Sequence, residues 1–191
     1  MTSRSSGGLR FTLGAAAIAA FAAGAAMHGS AREVGPGPIP EVSQEAEKLG
    51  TIPADRWLRA PERGLSGEDL RGKVVLVEFW TYLCYNCKNV EGWMKETHAE
   101  LAPRGLAVVG VHTPEFEVER DVANVTAYME ENGIDWPVAI DNGFRVWRKY
   151  NRTNAWPAFL VYDRSGNLVF RRAGERAVHG ARAAIDEALA S

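Results

Sequence analysis

The feature that most restricts this chain is VVLVEFW at residues 74–80, followed three residues later by Cys84-Tyr85-Asn86-Cys87. A near-continuous apolar run led by valines reads as a strand buried on both faces. Residues 85–102 read as a helix, because Val90, Trp93, Met94, Thr97 and Leu101 recur at three- and four-residue steps before Pro103 and Gly105 stop it. The two cysteines, the only ones in the chain, therefore fall at a strand-to-helix junction. Free backbone N–H groups and the helix dipole favour negative charge there. A thiol so placed can fall to a pKa of ~3.5–7.5, against ~8.5 when free. Cys84, nearest the helix start and solvent, is the better nucleophile. Cys87 lies one turn deeper, within reach for an internal disulfide, and the pair points to thiol–disulfide exchange. The competing readings are an inert structural disulfide or two buried thiols.

Other chemistry is harder to place. Two cysteines cannot make a four-cysteine zinc site or a multiply stapled scaffold within one chain. A c-type haem site needs histidine after the second cysteine, and Lys88 stands there. His98 and His112 show no recognisable ligand spacing and read as ordinary surface or loop residues, so no metal and no cofactor is expected. The formal charge of −2, with no lysine/arginine block, argues against nucleic acid as a partner. A mean hydropathy of −0.21 excludes a multi-spanning membrane protein.

The start of the chain reads as an address. Arg4 and Arg10 precede an apolar, alanine-rich run over 11–31. Residues 1–32 are thus a signal peptide or a single N-terminal membrane anchor, with the remainder exported to a periplasmic or other extracytoplasmic space. Without them the formal charge is −5, from 19 basic and 24 acidic side chains. Residues 33–50, containing GPGPIP, form a linker. Residues 51–191 remain for the folded domain, enough for one core.

Within that domain, Ser66 can cap a short helix ending near Gly72. A second buried strand spans 106–111, and a helix spans 117–131 with Val118, Val122, Val125 and Met129 on its apolar face. A third strand follows at 137–140, then a short helix around Phe144, Val146 and Trp147. A hairpin pairs 158–162 with 168–172, and a last helix covers 179–190. Alternating strands and helices call for an α/β domain with a largely parallel sheet, the hairpin adding antiparallel strands at one edge. Glu78 is an acid inside an apolar strand. Buried, it would have a raised pKa and could take the proton of Cys87; otherwise it faces solvent or an arginine. Pro157 enters a strand, where a plain trans proline is the default. Of Tyr82, Tyr85, Trp93, Trp136 and Trp147 most belong to the core, while Tyr82 and Tyr85 flank the first cysteine and can line a groove for a client.

The phrases FWTYLCYNC, GVHTPEF and AWPAFLVYDRSGNLV closely resemble the exported thioredoxin-like proteins of the TlpA and DipZ type, from about residue 57 to the end. The resemblance implies a thioredoxin-like fold, a mixed, mostly parallel central sheet flanked by helices. It implies that Cys84 attacks, Cys87 resolves and Glu78 stands in the place of the buried acid. It implies that Pro157 is cis and faces the disulfide, that Trp156 offers backbone groups to a substrate strand, and that Trp80 shields the site beside Tyr85. It further implies reduction of disulfide-containing protein clients, with electrons from a membrane-embedded donor. Tyr85-Asn86 and Leu83 depart from thioredoxin, which has Gly-Pro between its cysteines and tryptophan before the first. Two rivals stand beside this reading. One is a peroxiredoxin-like thiol peroxidase, for which Thr81-x-x-Cys84 fits but Val77 replaces the expected proline. The other is a non-enzymatic partner-binding module with a structural disulfide.

Overall fold

The computed structural model describes residues 48–191. The expected leader, 1–32, and the expected linker up to residue 47 lie outside them. Residues 48–50, at the end of that linker, run beside the sheet: Lys48 bridges to Asn167, and Leu49 is buried. No helix among the described residues is long and apolar enough to cross a membrane.

Six strands form one sheet, β1 (Arg56–Leu58), β2 (Val74–Trp80), β3 (Leu106–His112), β4 (Val138–Ile140), β5 (Ala158–Tyr162) and β6 (Leu168–Ala173). Their spatial order is β1-β4-β3-β2-β5-β6. The helices are α1 (Tyr85–Leu101), α2 (Val122–Glu131), α3 (Arg145–Tyr150) and α4 (Val178–Ala190). The valine-led run behaves as its composition requires: every residue of β2 is buried. Alternation then sorts its side chains. Val74, Leu76 and Trp80 join the core beneath α1, α2 and α4, whereas Val75, Val77 and Phe79 join the core on the α3 face. Glu78 shares the parity of Leu76 and Trp80, so it points to the side that holds both cysteines.

The sheet is mixed and flanked by helices, as the resemblance implies. Its parallel part is the block β2-β3-β4, while β1, β5 and β6 all pair antiparallel. Antiparallel pairing thus reaches both edges, not one. Strand β1 has no sequence signal, since three residues beginning with arginine owe their conformation to the edge of β4. Two helix expectations need correction. Ser66 bridges to Thr51 and residues 67–72 form successive turns, because the Asp69 carboxylate accepts from both Ser66 N and Ser66 Oγ and closes the backbone locally. The helix expected over 117–131 is broken: a 3-10 turn spans Glu117–Arg120, and α2 begins only after Asp121, whose side chain caps it by accepting from Ala123 N at 2.9 Å.

Candidate functional site

The carboxyl ends of the three parallel strands, at Trp80, His112 and Ile140, lie at one end of the sheet. The chain leaves β2 through Thr81-Tyr82-Leu83 and enters α1 with Cys84 as its N-cap. Cys84 Sγ accepts the Cys87 backbone N–H at 3.3 Å. The sulfur therefore occupies the place that a serine or aspartate oxygen takes in an ordinary cap. The Cys84 thiol is held below its ordinary value, first by its hydrogen bond with the Cys87 side chain and further by backbone N–H groups at 86 and 87, against the opposing effect of burial. Cys87 is pushed the other way, chiefly by burial and then by its bond to Cys84 and the Cys84 charge. Cys84 is thus the readier of the two to ionise, and Cys87 holds its proton more tightly. Both thiols are free, and Cys84 is less exposed than its position suggests, at 9%.

Glu78 is 5% exposed on the cysteine side of β2. Burial pushes its carboxyl up to about 8, with the Glu91 and Cys84 charges adding to the effect. The Glu78 charge in turn helps to raise the Cys87 thiol. Trp80 is buried, its ring edge-on to His112 at 5.2 Å and tilted on Tyr128 at 5.9 Å. Tyr85 and Leu83, on either side of Cys84, are 76% and 44% exposed.

The Trp156–Pro157 peptide is cis. Register puts it beside the same strand end, because the next residue, Ala158, pairs with Phe79. Trp156 packs on Trp147 at 4.2 Å and donates its indole N–H to Thr113 O at 3.1 Å. Cys84, Cys87, Glu78, Trp80, Tyr85, Trp156 and Pro157 therefore all belong to one end of the sheet.

A buried polar group beside the dithiol has no counterpart in the sequence reading. His112 is fully buried at the end of β3, which corrects its expected surface or loop placement. It stacks on Tyr82, and its Nε2 lies 3.3 Å from Thr81 Oγ1. Burial lowers its pKa to about 3, so it is neutral. The Thr81 hydroxyl donates its one proton to Glu119, which leaves His112 Nε2 as the donor to Thr81. Glu119 is itself fully buried. Its Oε1 accepts from Thr81 and from Leu83 N at 3.0 Å; its Oε2 accepts from Glu115 N at 2.8 Å and Phe116 N at 2.9 Å. The apolar repeat that places Val118 on the core face is inverted here: Val118 is 53% exposed and its neighbour Glu119 is buried. The overlooked signal was local, a glutamate three residues after Phe116 that reaches back to cap its own turn. His98, on α1, pairs with Asp135 at 3.4 Å, away from this group.

The profile of the AhpC/TSA family matches residues 59–171. Protein DipZ of Mycobacterium tuberculosis is 37% identical over 140 residues, 69% of this chain but only 19% of that protein. The thiol-disulfide oxidoreductase ResA of Bacillus cereus is 26% identical over 109 residues, 57% of this chain and 60% of that one. Among solved structures, a thiol-disulfide isomerase from Corynebacterium glutamicum superposes with a TM-score of 0.65 at 24% identity, covering 76% of this chain and 97% of its own. That likeness establishes the thioredoxin-like fold.

Proposed function

Because the chain belongs to the AhpC/TSA family and carries a dithiol at a helix start, we propose that it is a thiol–disulfide oxidoreductase that reduces disulfides of extracytoplasmic proteins. The observation that carries this reading is the asymmetry of the pair, a Cys84 thiol held down and a Cys87 thiol held up. The Cys84 thiolate attacks a client disulfide, forming a mixed disulfide and releasing one client thiolate. Cys87 then gives its proton to the Glu78 carboxylate and attacks Cys84 Sγ. The second client thiolate leaves. The client has gained two electrons, and this chain holds a Cys84–Cys87 disulfide. Two electrons from a membrane-embedded donor restore the dithiol. Tyr85 and Leu83 give the client an apolar rim, Trp80 walls the site from beneath, and the Trp156–Pro157 backbone receives the client strand. The basic, alanine-rich start of the sequence supports export.

A thiol peroxidase of the peroxiredoxin type needs the threonine hydroxyl beside the thiolate. Here Thr81 gives its proton to Glu119. The exchange reading predicts that Cys87→Ala accumulates mixed disulfides through Cys84 when the reduced protein meets disulfide-bonded clients, and that Cys84→Ala accumulates none. Non-reducing gels and mass spectrometry of the linked peptides check this. Since Cys87→Ala cannot form the internal disulfide, adducts can arise only by attack of Cys84 on an oxidised client. Failure of both variants to trap would end the proposal.

A further inference from the structure

The Cys84 loop and the cis-Pro157 loop come from distant parts of the chain. What joins them is residues 113–119. At one end of this segment Thr113 O accepts the Trp156 indole N–H at 3.1 Å, and Thr113 N donates to Trp80 O at 3.1 Å. At the other end the Glu119 carboxylate grips four donors at once. Two belong to the loop before Cys84, the Thr81 hydroxyl and the Leu83 N–H; two belong to the segment itself, Glu115 N–H and Phe116 N–H. The Tyr82 hydroxyl adds a bond to Val118 O at 3.1 Å. A fully buried carboxylate with both oxygens doubly engaged is a rigid joint, because releasing any donor leaves it unsatisfied away from water.

We propose that Glu119 is a positioning residue, the joint that holds the Cys84 loop in register with the Trp156–Pro157 loop so that a client's disulfide and its strand are presented together. The inference rests on the exchange reading above. Attack on a protein disulfide needs both loops, and a misplacement of about 1 Å can cost on the order of 10²-fold in rate. Alkylation of Cys84 by a small reagent needs only the sulfur and its cap on α1, which Glu119 does not touch. The role therefore has a signature that general weakening of the fold does not share.

The test uses the full chain in its reduced form. In Glu119→Gln the amide NH₂ replaces one acceptor oxygen and faces two donors. Single-turnover reduction of insulin should fall at least ~10-fold, while iodoacetamide alkylation of Cys84 changes less than ~3-fold. Thr81→Val should show the same split, and Thr81→Ser, which keeps the donor, should restore insulin reduction to within ~3-fold of the wild type. The threonine pair decides the matter if Glu119→Gln does not fold. Equal losses in both reactions, or no loss in either, overturn the proposal. A separate readout is solvent exchange of the Trp156 indole N–H by NMR, which should quicken in Thr81→Val and not in Thr81→Ser. If the wild type reduces no client, the exchange reading is lost, and the indole signal alone decides the joint: unchanged protection in Thr81→Val refutes it.

Discussion

Glu78 is an acid in a strand whose other six residues are apolar, and it is buried without the arginine that would make such a site comfortable. A fully paired carboxylate would sit well below neutrality and accept no proton at physiological pH. Burial instead lifts this one to about 8. A base of that pKa is matched to work near neutral pH, and Cys87 is the nearby group whose proton would leave in the proposed resolution. In Glu78→Gln, decay of a mixed disulfide preformed on Cys84 should slow by roughly 10²-fold, the usual worth of a positioned base. The wild-type rate should climb with pH and level off near 8, whereas the glutamine variant should lose that inflection. Rapid-mixing kinetics across pH 6–9 separates the two, and an identical profile in both proteins would remove Glu78 from the proton path. This residue was legible in the sequence because an acid interrupts a strong pattern. Glu119 was not, because it lies where the pattern itself misleads: Val118 continues an apolar repeat, yet three-dimensional demand turns it outward and buries its acidic neighbour.

The same contrast holds among elements. Strand β2, helix α1 and the β5–β6 hairpin could be read directly, since each is long enough for its periodicity to exceed local noise. Strand β1 and the break at Asp121 could not, because one depends on the edge of β4 and the other on a side-chain cap beside the site. Strand β3 shows how closely the legible elements meet. Gly110 pairs with Glu78 in register, and a Cβ at Gly110 would lie 2.9 Å from Trp80 Nε1 and 3.0 Å from Val138 Cγ2. The missing side chain is what lets Trp80 lie across the sheet under the dithiol. Gly110→Ala should therefore destabilise the protein by about 1–3 kcal/mol, the range for overpacking a tight core. Urea denaturation measures the loss. A companion blue- or red-shift of tryptophan emission would report the displaced ring, and stability equal to the wild type would show that the space is larger than these distances indicate.

For the molecule as a whole, the end of the sheet that carries the site concentrates buried ionisable groups. Glu78 and Asp141 are raised, to about 8 and about 6, and His112 is lowered to about 3, burial leading in each case. Each group is thus less willing to carry charge in the fold than in the unfolded chain, where carboxyls titrate near 4 and histidine near 6.5. His112 binds its proton more readily when unfolded, so its contribution is present above pH 6.5 and is lost as pH falls toward 3. Glu78 binds its proton more readily when folded, so its contribution is present below its unfolded pKa and is lost as pH rises through about 8. This buried acid therefore weakens the fold in the range where a proton acceptor for Cys87 would work. The two thiols titrate nearby and would blur the measurement, so both cysteines are replaced by alanine in the comparison. In that background, chemical denaturation at pH 5.5 and pH 8.5 should show Glu78→Gln gaining on its Glu78 parent as pH rises, by on the order of 2–4 kcal/mol. A constant difference at the two pH values would mean that Glu78 is ionised at pH 5.5, and its place as the proton acceptor for Cys87 would then rest on position alone.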